Sequence, residues 1–143
     1  MPFEYLDDIA TADVAFKAWG ATVEELFVAA SDALTNVMVE RLETIERREH
    51  RHWELEAEAM DLLLFELLQE IIFFKDAEQL LLRVDAVEIG ARDHGFNLSA
   101  EASGEKIDPD RHDLIVDVKA VTFHHFRVEQ TRHGWEAMVI LDI

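Results

Sequence analysis

Two carboxylates near opposite ends of the chain offer its most distinctive chemistry. Asp13 follows Thr11-Ala12 and opens an alternating run, whereas Asp142 follows the apolar run Met138-Val139-Ile140-Leu141 and precedes only Ile143. Chain ends are commonly frayed and polar, so an apolar run carried this far implies an ordered terminus whose α-carboxylate is a fixed negative group. Beside the Asp142 side chain and Asp13, that group creates a repulsion that a hard cation relieves, because calcium and magnesium take oxygen ligands. The expectation requires the two chain ends to meet in space. Spacing alone equally allows Asp13 to be a strand-start or turn residue and Asp142 a polar end.

Polar groups break a second apolar run at Val118-Lys119-Ala120-Val121-Thr122-Phe123-His124-His125. In a strand, Lys119, Val121 and Phe123 share one face and Ala120, Thr122 and His124 the other, so Lys119 and His124 need not point the same way. Adjacent His124 and His125 are residues that bind transition metals or titrate near neutral pH, but strand neighbours face opposite sides and chelate poorly together. His50 and His52 share a strand face with Glu54 and Glu56 and could ligate zinc; mixed charges also suit a solvated edge strand. Glu66 and Glu70, one helical turn apart, could bracket a cation, act as acid and base, or simply form a solvated helix flank. His94 and His133 each precede a glycine at a turn. The stretch from Asp108 to Asp113 is acidic but lacks the glycine and spacing of an EF-hand loop. Neither a phosphate-cradling glycine motif nor a nucleophile elbow occurs, so the chain does not advertise catalysis of its own.

Composition narrows the classes. At 143 residues the chain is long enough for one domain with a real core, taken as residues 1–143. Half of the residues are hydrophobic and only two are proline, which argues against disorder. A formal charge of −18, from 31 acidic and 13 basic residues, repels a phosphate backbone and makes direct nucleic-acid binding a poor expectation. It suits solubility, a cation, the basic surface of another protein or adaptation to high salt. The absence of cysteine excludes disulfides and thiolate metal sites. The start lacks the basic region and long apolar stretch of a signal peptide, and the runs at Leu62–Phe65 and Ile71–Phe74 are too interrupted to span a membrane, so a cytoplasmic location is expected.

The positioning elements follow from periodicity. Asp13 to Trp19 alternates as a strand ending at Gly20, and Thr22-Val23-Glu24-Glu25 has the spacing of a capping box. The helix it starts buries Leu26, Ala29, Ala30, Ala33, Leu34, Val37 and Met38 and runs to about Val39. Thr44 to Glu56 reads as a charged edge strand, and a second helix over about Ala59 to Phe74 has an apolar stripe broad enough for a central position. Beyond Asp76-Ala77-Glu78, strands are expected at Leu80–Ile89, Phe96–Ser103, Val116–Thr122, Phe126–Glu129 and Trp135–Leu141. Short connections favour antiparallel pairing. The expected class is α+β, a single domain with two main helices packed on a mostly antiparallel β-sheet.

The sequence also resembles the archease family. The resemblance is carried by Thr11-Ala12-Asp13-Val14, Trp19-Gly20, the helix start Val23-Glu24-Glu25-Leu26-Phe27, and Leu62 to Phe74 followed by Asp76. It continues through Gly104-Glu105-Lys106, Val118 to His124, and Asp142-Ile143, and so covers nearly the whole chain in order. It implies a small α+β protein that is not an enzyme but a partner of an RtcB-type RNA ligase, promoting ligase guanylylation and multiple turnover in tRNA splicing and RNA repair. It further implies a divalent cation, calcium first and magnesium or manganese otherwise, held by Asp13, Asp142 and the terminal carboxylate or backbone oxygen of Ile143. Lys119 and His124 fall in another family motif and are further functional candidates without an assigned role. Family members usually carry a histidine before the Thr-Ala-Asp motif; here Asp7-Asp8-Ile9-Ala10 precedes it, and Asp7 or Asp8 could supply a replacement oxygen or simply form a solvated pair at a strand end. The competing readings are a metal-dependent phosphoester hydrolase using the same aspartates and a general chaperone or interaction module.

Overall fold

The computed structural model describes residues 2–6 and 13–143. In chain order the elements are β1 (Phe3–Leu6), β2 (Asp13–Gly20), α1 (Val23–Met38), β3 (Glu49–Ala57), α2 (Met60–Glu78), β4 (Leu80–Arg92), β5 (Gly95–Lys106), β6 (Ala120–Thr131) and β7 (Gly134–Asp142). The strands form two antiparallel sheets, one ordered β1-β2-β7-β6 and the other β3-β5-β4. Both helices touch strands of both sheets. The class is therefore the expected α+β, with the strands divided between two sheets around a shared core.

The local reasons match the residues. Thr22 Oγ1 accepts the Glu25 backbone N–H at 3.1 Å, while the Glu25 carboxylate accepts the Thr22 N–H at 3.3 Å, closing the capping box. Every residue of the expected α1 stripe is buried, joined by Phe27, Ser31 and Thr35. The Thr35 hydroxyl reaches across to the Leu82 carbonyl at 3.0 Å and ties α1 to β4. On α2, Leu63, Leu64, Leu67, Leu68, Ile71 and Ile72 are buried in the main core against strands of both sheets, while Leu62 and Phe73 on its other side are exposed. Gln79, in the left-handed region at φ 55°, ends it; the helix thus runs one turn past the expected Phe74.

Three other differences have physical causes. The run 42–44 is a short 3₁₀ turn, so the charged edge strand begins only at Glu49; its exposed residues are the alternating His50, His52, Glu54 and Glu56. The short strand β1, not expected from sequence, pairs along β2 and seats Phe3 in the core. Of the expected strands at Val116–Thr122 and Phe126–Glu129, Val116 to Lys119 are not strand and the rest is one strand, β6, whose register against β7 jumps between Thr122 and Arg127. Phe123 to Phe126 thus oppose Val139 alone in a wide bulge, with His125 at φ 54°.

Candidate functional site

Strand β7 is central in its sheet, flanked by β2 and β6, and this arrangement brings the two chain ends together. Asp13 is the register partner of Asp142, followed by Val14 with Leu141 and Ala15 with Ile140. Because strand side chains alternate, the pairing also fixes the face. Phe16, Val139 and Leu141 belong to the main core under the helices, whereas Ala15, Met138 and Ile140 form a separate cluster with Leu6 on the opposite face. Asp13 and Asp142 share the parity of Ala15 and Ile140 and stand directly across from each other on that opposite face. Asp13 is half-buried and Asp142 exposed. Ile143 packs against the main core and anchors the end of the chain.

On the other side of β7, Ala120 is the partner of Asp142, and the Lys119 N–H donates to the Asp142 carbonyl at 2.8 Å. The Val121 N–H donates to Gln69 Oε1 of α2 at 3.0 Å, fixing the start of β6. Lys119 is therefore one hydrogen bond from Asp142, and its side chain lies in solvent. His124 is elsewhere. It lies beyond Thr122, within the bulge, and its ring sits 4.1 Å from that of His125 at a 54° tilt. The left-handed backbone at His125 breaks the alternation that would have sent the two rings to opposite sides. The same bulge stacks Phe123 on Phe65, with ring centroids 4.0 Å apart.

Directly opposed like charges on a sheet repel, and two carboxylates offer only hard oxygen donors. The donor chemistry of Asp13 and Asp142 therefore fits calcium, magnesium or manganese and not a soft metal. Among the described residues no group of three or more histidine, aspartate or glutamate side chains is poised around a metal position. The candidate ligands Asp7 and Asp8, and the Thr11-Ala12 part of the motif, lie outside the described residues. Other candidates separate from this site. His52 Nδ1 is 2.6 Å from Glu101 across β3 and β5, Glu66 is exposed on α2, and His94 and His133 occupy the two hairpin turns ahead of Gly95 and Gly134, whose φ values are 137° and 136°.

This chain matches the family model described as Archease protein family (MTH1598/TM1083) over residues 3–143. The chain belongs to the archease family. It is 37% identical to the protein archease of Pyrococcus abyssi over 134 residues, which is 93% of this chain and 94% of the relative. It is also 37% identical to that of Methanopyrus kandleri over 145 residues, covering 100% of both. Its backbone superposes on the solution structure of Methanobacterium thermoautotrophicum protein 1598 with a TM-score of 0.85 at 35% identity, covering 99% of each chain. A crystal structure from Thermotoga maritima, described as an archease and possible chaperone, shares the fold with a TM-score of 0.65 at 18% identity, over 94% of this chain and 93% of that one.

Some of this archease's organisation was not anticipated from its motifs. Glu105, in the Gly104-Glu105-Lys106 motif, is 4% exposed beside the equally buried His112. Glu105 accepts from the Glu46 N–H at 2.6 Å, faces His112 Nε2 at 3.0 Å and pairs with Arg111. His112 Nδ1 in turn accepts the Asp108 N–H at 2.9 Å, so Nε2 carries the proton in the neutral ring. Burial by itself would raise the Glu105 carboxyl, but Arg111, the Glu46 amide and His112 outweigh it and hold it down at about 2. The stretch from Asp108 to Asp113, expected as a plain acidic loop, is the clamp around this carboxylate. Lys75 is a second buried charge. Desolvation pulls its ammonium down, and Asp117 and Asp76 more than compensate, leaving it raised. Its Nζ also donates to the Val118 carbonyl at 2.8 Å.

Proposed function

We propose that this archease is a divalent-cation-binding activator of an RtcB-type RNA ligase, promoting ligase guanylylation and multiple turnover in tRNA splicing and RNA repair. The observation that carries the reading is the direct opposition of Asp13 and Asp142 on one face of the sheet, at the same end as Ile143. Asp13, Asp142 and an oxygen of Ile143 would hold the cation, with calcium preferred and magnesium or manganese as alternatives. A cation held there would supply positive charge that offsets the carboxylates, and Lewis acidity. The protein's own part is to fix both aspartates by strand pairing and to present Lys119 beside them through its backbone bond to Asp142. His124, carried on the neighbouring bulge, would face the partner from the same sheet.

The charge of −18 favours a basic protein groove over RNA as the contacted surface. No helix among the described residues is long and apolar enough to cross a membrane. The test is a guanylylation assay of the cognate ligase with and without the chain. Stimulation by the intact chain, and its loss in Asp13→Ala and Asp142→Ala, is the expected outcome. Absence of stimulation by the intact chain would refute the reading; equal stimulation by both variants would refute the site alone. Metal-dependent phosphoester cleavage by the chain by itself would favour the hydrolase, and equal help to unrelated proteins the general chaperone.

A further inference from the structure

The segment between β5 and β6 carries three consecutive aliphatic side chains in water: Leu114 is 47% exposed, Ile115 55% and Val116 38%. Its backbone is nevertheless pinned along its length. Leu114 bridges Val39, the Ile115 N–H donates to the Met38 carbonyl at 2.9 Å, and the Glu40 N–H donates to the Asp113 carbonyl at 2.9 Å. Immediately downstream, Lys75 holds both Asp117 and the Val118 carbonyl, and immediately upstream His112 is locked to Glu105.

Burial of Lys75, Glu105 and His112 is costly unless each is fully partnered. Here those partnerships fix the course of one strap while its own apolar side chains stay outside. A segment ordered in this way meets the entropic cost of docking before any partner arrives. Leu114, Ile115 and Val116 also line a shallow notch with Met38, Leu81 and Ile107, of about 210 Å³, a volume suited to one apolar side chain.

We propose that Leu114–Val116 is a preformed protein-docking surface whose notch receives a single apolar anchor residue flanked by lysine or arginine on the partner. The charge requirement follows from the exposed carboxylates around the strap, Glu40, Asp113, Asp117 and Asp76: Arg41 offsets Asp113 only from 3.9 Å, and the single charge of Lys75 is shared between Asp117 and Asp76, so the strap stays net negative. The strap leads directly into Lys119, whose N–H is bonded to the Asp142 carbonyl, so the surface is continuous with the Asp13 and Asp142 edge. An anchored partner would be held against that edge. The inference rests on the reading that the partner is the RNA ligase.

The experiment is calorimetric titration of the full-length chain into the cognate ligase, for the natural sequence and Ile115→Asp, with sedimentation of each alone and guanylylation at saturating chain. Ile115→Asp should weaken binding by about tenfold or more, as loss of an interface anchor does, while the melting temperature and the maximal stimulation hold. Val116→Asp is the second variant should Ile115→Asp disturb folding. Unchanged affinity in a folded variant overturns the docking surface alone. Self-association of the natural chain that Ile115→Asp abolishes also overturns it, because a second copy is then the occupant. Failure of the natural chain to bind the ligase at all overturns the functional reading itself, and the partner named here with it.

Discussion

Removing one of the opposed carboxylates should stabilise the protein in the absence of metal, the reverse of what most substitutions do. Asp142 is exposed and its backbone carbonyl, not its side chain, takes the bond from Lys119, so Asp142→Asn leaves the strand pairing intact. Directly opposed residues on antiparallel strands hold their Cβ atoms about 5 Å apart. Two carboxylates so placed, with the nearly water-like screening that an exposed Asp142 receives, repel by about 1 kcal/mol. For a domain of this size that relief raises the melting temperature by about 3 °C. Calcium works in the opposite sense. At about one hundred times its dissociation constant, a ligand that binds only the folded state stabilises it by about 2.7 kcal/mol, or about 8 °C here. Scanning calorimetry in chelator and then in calcium should show Asp142→Asn melting above the natural chain in the first buffer and below it in the second. A variant that melts at or below the natural chain in chelator, or gains as much from calcium, would refute the reasoning.

The Glu105 clamp sets an acid limit. With a folded carboxyl at about 2 against an ordinary 4.5, the group stabilises the fold fully above pH 4.5, and this contribution is lost as pH falls from 4.5 toward 2. The full shift corresponds to about 3 kcal/mol, reduced to about 2 kcal/mol because water screens the partly exposed Arg111; Glu105→Gln should lower stability at neutral pH by that amount and flatten the urea-unfolding midpoint across this window. Lys75→Met leaves the fully buried Val118 carbonyl unpaired and should cost about 2 kcal/mol in the same assay, with faster amide exchange in residues 113–118.

Much of the frame was legible because it rests on local rules. The capping box at Thr22, the α1 stripe, the central α2 helix and the β2 and β7 strands all follow from periodicity and end signals that involve neighbours in sequence. The contact of Asp13 with Asp142 did not follow from spacing, since it depends on β7 pairing with the distant β2. The bulge at Phe123–Phe126 was hidden because its register jump is set by β7 and by the stacking of Phe123 on Phe65, not by alternation within the segment. Val116 and its neighbours looked like a strand because they are aliphatic; Val116 to Lys119 instead run outside the sheet, with Val118 buried and the backbone held by Lys75 at Val118 and by Asp142 at Lys119. Glu105 and Lys75 carried no visible sign either, because a buried charge is recognisable only once its partners are assembled around it.

The most direct test of the central claim is multiple-turnover RNA ligation with limiting cognate ligase, measured against calcium concentration for the natural chain and for the double variant Asp13→Ala, Asp142→Ala. Turnover beyond one ligation per ligase is expected only with the natural chain, rising over the calcium range in which calcium raises that chain's melting temperature. Full multiple turnover supported by the double variant would contradict it.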